Sequence, residues 1–131
     1  MRHSANRINS LPHILSLKCL KVLELEDGKI NYVDNEQVDG STKLCKLEEL
    51  SLSNCEGDLD IILNLVGPTL VKVNLGFTEI ENMEINLLVS RAPNVTELNL
   101  RQCTRIGHHG FVNLFRTLGS KLQELNLQED R

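Results

Sequence analysis

The sequence predicts an α/β fold, a solenoid of about five stacked units with a parallel sheet on its concave side and helices on its convex side. Three observations carry this. Leucine supplies 24 of 131 residues, against four aromatics (Tyr32, Phe77, Phe111, Phe115) and no tryptophan, so one aliphatic residue fills the core repeatedly. An apolar residue followed at +3 and +5 by two more recurs five times along the chain. Between the later copies the apolar spacing changes from the strand period of two to the helical i, i+3, i+4, i+7.

The five motifs are LKVLEL from Leu20, LEELSL from Leu47, LVKVNL from Leu70, VTELNL from Val95 and LQELNL from Leu122, at intervals of 27, 23, 25 and 27 residues. Two apolar residues flanking one polar residue have the alternation of a half-buried strand, which predicts strands within 20–25, 47–52, 70–75, 95–100 and 122–127. The first connection, 31–43, lacks a helical stripe and is rich in Asp, Asn, Gly and Ser, so an irregular loop is expected there. Leu59, Ile62, Leu63 and Val66 form the first helical stripe, Ile85, Leu88, Val89 and Ala92 the second, and Phe111, Leu114, Phe115 and Leu118 the third. Asp58 and Asn82 stand where side-chain N-caps are useful, and Pro68 and Pro93 stop two of the helices. A strand and a helix recurring at this spacing bury their apolar faces only by stacking on copies of themselves.

This organisation resembles a leucine-rich repeat protein over residues 17–131, which implies a right-handed solenoid. The residue three after each strand's last leucine is Gly28, Cys55, Thr78, Cys103 or Asp130. Cys at that turn position resembles the cysteine-containing subclass. LRQCTRIGHHGF (Leu100 to Phe111) is the best single match, with Gly107 and His108 departing from the usual residues, and LSLSNCEG (Leu50 to Gly57) is similar to repeats of plant hormone-receptor F-box proteins. The opening LPHILSLKCLKVLELEDGKI resembles repeats of intracellular plant immune receptors. Residues 1–16 are read as a flank or part of a preceding unit, with Ile8 to Ser16 in the place of a convex segment. Because Arg131 follows closely on the fifth strand with nothing to cover it, the chain is expected to be a portion of a longer one, with flanking domains outside it.

A net charge of −4 has the wrong sign for gripping nucleic acid or anionic lipid. The longest apolar runs are a few residues, short of the roughly 20 a membrane span needs, and the polar N-terminus lacks a signal-like apolar run. A cytoplasmic or nuclear location with reduced cysteines is expected. Cys55 and Cys103 lie two units apart, roughly 10 Å at about 4.8 Å per strand step and beyond disulfide reach of about 7 Å, so they read as buried structural thiols. His108 and His109 are adjacent and cannot form an i, i+4 metal pair, and read as a polar helix start. No Gly-x-Ser-x-Gly elbow, phosphate loop or Cys-x-x-Cys is present, so no enzyme, metal or cofactor is expected. Asn94-Val95-Thr96 matches a glycosylation acceptor at what reads as the start of a buried strand, a chance occurrence.

The informative surface is the concave face, where residues flanking the strand leucines point away from the core. Glu24, Glu26, Asp27 and Glu49 make its N-terminal end acidic, suited either to a basic partner segment or to a solvated edge. Asn74, Asn99 and Asn126 read as partner contacts or as an inter-strand hydrogen-bond ladder. Phe77 is an aromatic at an exposed position, with Gly76 leaving room and Arg101 in the next unit, and these types dominate interface energetics. It reads equally as a stacked contact with Arg101 or a fold onto the convex turn. Gln128 continues the row. The expectation is a non-enzymatic module that binds a protein partner on its concave face. The resemblance implies the substrate-recognition part of an SCF-type ubiquitin-ligase receptor, with the sensor array of an immune receptor as the alternative.

Overall fold

The structure is a computed structural model that describes residues 2–5, 17, 19–30 and 44–129. In chain order its elements are β1 (Arg2–Ala5), β2 (Val22–Leu25), β3 (Lys29–Ile30), β4 (Glu49–Ser51), β5 (Glu56–Gly57), α1 (Asp60–Leu63), β6 (Lys72–Asn74), α2 (Asn82–Arg91), β7 (Glu97–Asn99), α3 (His108–Leu118) and β8 (Glu124–Asn126). The architecture is mixed α/β. Six strands form one parallel sheet in the order β1-β2-β4-β6-β7-β8, and β3 pairs with β5 in a second parallel sheet. Each of the five sequence motifs holds one strand, whereas β1, with the leucine-free sequence RHSA, pairs beside β2 without matching the motif. The expected loop at 31–43, the segment Ile8 to Ser16 and the turn position Asp130 lie outside the described residues.

The register stacks like on like: Leu23, Leu50, Val73, Leu98 and Leu125 form one row across the sheet. The first four are at most 3% exposed, because alternation turns them to the core side while Glu24, Ser51 and Asn74 take the open side. The carbonyls of Lys21, Glu48, Val71 and Thr96 each accept two successive amides of the next unit at 2.7–3.1 Å, so the backbone joint is repeated at every step. Beyond the strands, side chains 27 residues apart bridge neighbouring units: Arg91 donates to Asn64, Asn113 to Asn86 and Lys121 to Asn94.

The helices bury the expected stripes with three differences. All of Leu59, Ile62, Leu63 and Val66 are buried, but only Asp60–Leu63 is α-helical. Its unit is the shortest, at 23 residues between motifs, and part of that length is used by β5. Neither expected side-chain cap forms. Leu59 holds the N-cap of α1, and α2 begins after Glu81, whose amide donates to the Glu84 carboxylate at 3.0 Å; Asn82 Oδ1 instead accepts the amide of Gly107 in the next unit. In α3, Leu114 and Leu118 are fully buried but Phe115 is 46% exposed. Gly110 and Asn113 meet α2, which by the 100° helical step leaves Phe115 on the flank away from that neighbour, where Phe111 stacks on it. No helix among the described residues is long and apolar enough to cross a membrane.

β2, β4, β6 and β7 each run into a residue in the left-handed region: Asp27, Asn54, Phe77 and Gln102 have φ of 58–61°. This reverses the chain and carries the next residue inward. Cys55 and Cys103 are buried there, and each thiol donates to a carbonyl of the preceding unit, Leu25 at 2.7 Å and Leu75 at 2.9 Å. Thr78 is buried at the same position and donates its hydroxyl to Leu75. A little further on, Gly57 at φ 96° lies so close over Ile30 that a Cβ would strike the carbonyl oxygen, which is why only glycine closes the β3–β5 pair.

Burial pushes both thiols above the ordinary thiol range; an amide hydrogen bond from Gly28 at Cys55, and the Thr78 contact at Cys103, oppose the shift without cancelling it. The native chain therefore holds protons that the unfolded chain releases above about pH 8.5, and the stability they contribute is complete below that pH and lost as pH rises beyond it. Urea unfolding across this range should show the decline. A Cys55→Ser/Cys103→Ser chain, which keeps the donors without the titration, should show a flatter one.

Candidate functional site

The open face of the six-stranded sheet is lined by the residues that alternation turns away from the core. The structure divides the nine expected contact residues into three groups. Glu24, Glu26 and Glu49 surround a cavity of about 210 Å3 over β2 and β4, with Ser51 and Lys72 on its wall. Lys72 approaches Glu49 at 4.0 Å, an exposed contact that screening makes weak. The Ser51 hydroxyl oxygen is buried and has no hydrogen-bond partner among the described residues, a cost of about 1–3 kcal/mol for an unsatisfied polar group.

Asn74, Asn99 and Asn126 do not make an inter-strand ladder. Each side-chain oxygen accepts the amide two residues on, those of Gly76, Arg101 and Gln128, all at 2.9 Å. These amides point along the sheet where the ladder stops, so the asparagines satisfy strand ends locally, as Asx turns do. Nor does Gly76 make room for Phe77: a Cβ there would come within 3.1 Å of Asn74 Oδ1 and 3.4 Å of Asn99 Oδ1, so its missing side chain accommodates the asparagine row. Gln128 donates its amide to Asn126 and accepts from Gln102 at 2.9 Å.

Asp27 leaves the acidic group. It occupies the left-handed turn, where Asn54 Nδ2 donates to its carboxylate at 2.7 Å. Phe77 holds the equivalent turn position one unit after Asn54, 45% exposed, with the Arg101 guanidinium 5.4 Å from its ring centroid. Both readings of this residue meet in the structure: the ring is stacked with Arg101 and still presents a large apolar surface.

Glu97 and Glu124 fall in the outward column that alternation gives Glu49 and Lys72, but were not among the expected contacts. They stand directly opposite each other on β7 and β8, beside a second cavity of about 190 Å3 that also borders Lys72 and Asn99. Neither carboxylate takes an ion pair among the described residues. The signal was present in the repeated tripeptide Glu-Leu-Asn at 97–99 and 124–126, which forces like charges into one column; the orphaned Ser51 hydroxyl had no sequence signal. A third cavity, about 270 Å3, lies off this face beside β5, where Arg105 reaches Glu79 at 3.8 Å.

Away from the sheet, the His108 and His109 rings meet edge to face at 6.0 Å at the start of α3. Among the described residues no three His, Cys, Asp or Glu side chains gather so as to hold a metal ion. Asn94 lies in an exposed turn, not in a buried strand; it bonds Pro68 and Lys121, and β7 begins only at Glu97. No family model matches the chain, and no characterised protein matches it by sequence.

The backbone of Phe77 carries a cost of about 1–2 kcal/mol for a left-handed non-glycine residue, against about 0.5–1 kcal/mol recovered by an exposed cation–π contact. Phe77→Asn, which suits that conformation, should therefore change stability to urea by less than about 1 kcal/mol, where a core phenylalanine would cost about 3–5 kcal/mol on truncation.

Proposed function

We propose that this chain is a leucine-rich repeat solenoid that works as a non-enzymatic binding module, capturing a polypeptide on the concave, open face of its parallel sheet. The observation that carries the reading is Phe77. A bulky aromatic at a turn position that asparagine and aspartate fill in the two preceding units, half-exposed and backed by Arg101, serves binding better than folding. The register supports it too, since the open face repeats outward side chains at a fixed strand spacing, a rigid template for an extended partner. The thiols of Cys55 and Cys103, each tied to a carbonyl of the preceding unit, are consistent with the cysteine-containing subclass.

The finer reading is a substrate-recruiting segment of a ubiquitin-ligase receptor, and it rests on that resemblance alone. Partner capture from the native cell tests both levels. Phe77→Ala/Arg101→Glu should abolish capture while the chain keeps its cooperative unfolding; undiminished capture would remove the assigned face. Recovery of a cullin adaptor with the endogenous protein is expected on the finer reading, and its absence would leave the interaction module without the ligase assignment.

A further inference from the structure

The apolar rows of the sheet lose their burial at β8. Leu25, Leu52, Leu75 and Leu100 are at most 3% exposed, yet the next residue of their row, Leu127, is 38% exposed, and Leu122 and Leu125 are only partly buried. The helical layer changes in the same place. Leu63 and Val89 are buried, whereas Phe115, which holds their stripe position in α3, is 46% exposed with the Phe111 ring stacked on it at 6.2 Å. Each inner unit buries these positions against the unit that follows, and β8 is the last strand of the sheet among the described residues. The backbone is open there as well. Asn126 accepts from Leu100 and Glu124 donates to Thr96, so the alternate residue Leu125 turns its amide and carbonyl to the free edge. By the pattern of the preceding joint, where Thr96 accepts from β8 and Leu100 donates to it, the Gln123 carbonyl and the Leu127 amide face the same way. An edge of this kind is a template for another strand.

We infer that this end of the sheet is a self-association surface, and that its occupant is a second copy of the chain related by a two-fold axis, with β8 antiparallel to β8. The edge is complementary to itself. With Leu125 opposite Leu125, the two residues exchange their amide and carbonyl bonds, and each Leu127 amide meets the Gln123 carbonyl of the second copy, so every edge group finds a partner of the right kind. On the open face Glu124 then lies opposite Asn126 of the second copy, not opposite another carboxylate. Asn126 has used its side-chain oxygen on Gln128, which leaves its NH2 to donate. An axis normal to the sheet keeps the core sides of both copies on one face, so the exposed Leu127 and the Phe111 and Phe115 rings of each copy join in one apolar contact, and aromatic anchors dominate such contacts. The other end of the sheet offers no equal match. In β1 the residue in the row of Leu125 is His3, which pairs with Leu23. Head-to-tail stacking would set that histidine against Leu125, and it has no symmetry to close it.

Sedimentation equilibrium of the full chain between about 1 µM and about 1 mM, a span that covers weak and stable association, reads the assembly directly. A species of twice the 14.8 kDa chain mass, saturating there, is the expected result. Phe115→Lys, which suits the last turn of a helix, and Leu127→Lys should each weaken the dimer by more than about tenfold while urea unfolding stays cooperative. Amide exchange at Leu125 and Leu127 of the unsubstituted chain should slow as concentration rises, a readout that contact through the phenylalanines alone would not move. A chain monomeric throughout the range would overturn the inference and leave this end of the sheet to a different polypeptide. So would a dimer indifferent to both substitutions, a dimer whose Leu125 and Leu127 amides exchange at a constant rate, or a mass that climbs without limit, the mark of head-to-tail stacking.

Discussion

The left-handed residue after each of β2, β4, β6 and β7 is the constraint on which the rest of the structure depends. With φ near 60° at Asp27, Asn54, Phe77 and Gln102, each chain segment leaves the sheet at the same point and turns toward the core. The residue after it can then reach back, as Cys55 does to Leu25 and Cys103 to Leu75, and lock one unit on the carbonyl of another. Apolar residues on both sides of the turn are buried, as Leu25 and Ile30, Leu75 and Ile80, and Leu100 and Ile106 show. Asp and Asn tolerate the conformation because their short polar side chains bond locally, which Asn54 and Asp27 do with each other at 2.7 Å.

The same turn decides which side chains on the open face belong to folding. Where the ladder ends, one amide per strand is left facing along the sheet, and in three successive strands an asparagine oxygen takes it. Those asparagines are committed to the backbone. The glutamates one pleat earlier, Glu97 and Glu124, serve no strand end. They point from the same face, in the same register; Glu97 stands between Lys72 and Glu124 across the sheet, and neither glutamate takes an ion pair among the described residues. A face that looks uniformly polar in sequence is thus two interleaved rows with different duties.

Much of the fold was legible because burial at a strict period is what the chain must encode to fold. The five strand motifs, the row from Leu23 to Leu125 and the buried thiols followed from spacing alone. What escaped depends on where neighbours stop or on which partner a polar atom chooses. Phe115 fits the helical stripe but lies on the flank of α3 away from α2. Asn82 satisfies the next unit's Gly107 instead of its own helix, an exchange between residues 25 apart that no local pattern reports. β1 has a strand's pairing without its leucines. In the site, exposure at Phe77 was readable, but its left-handed backbone was not, since phenylalanine is a poor choice for that conformation.

Mismatches between a residue and its place therefore carry more information here than matches. In the core the leucines are buried and the thiols have acceptors, so packing and hydrogen bonding account for those choices. Three features on or at the rim of the open face are different: Phe77 holds a turn that suits asparagine, Ser51 buries an oxygen without a partner among the described residues, and Glu97 faces Glu124. Each could be removed by a single conservative substitution that leaves the register intact. Packing and hydrogen bonding within the sheet do not account for these choices as they do for the leucines and the thiols. The costs are small against the energy of the stacked leucines, and the open face can carry them because the apolar row on its other side holds the sheet in register.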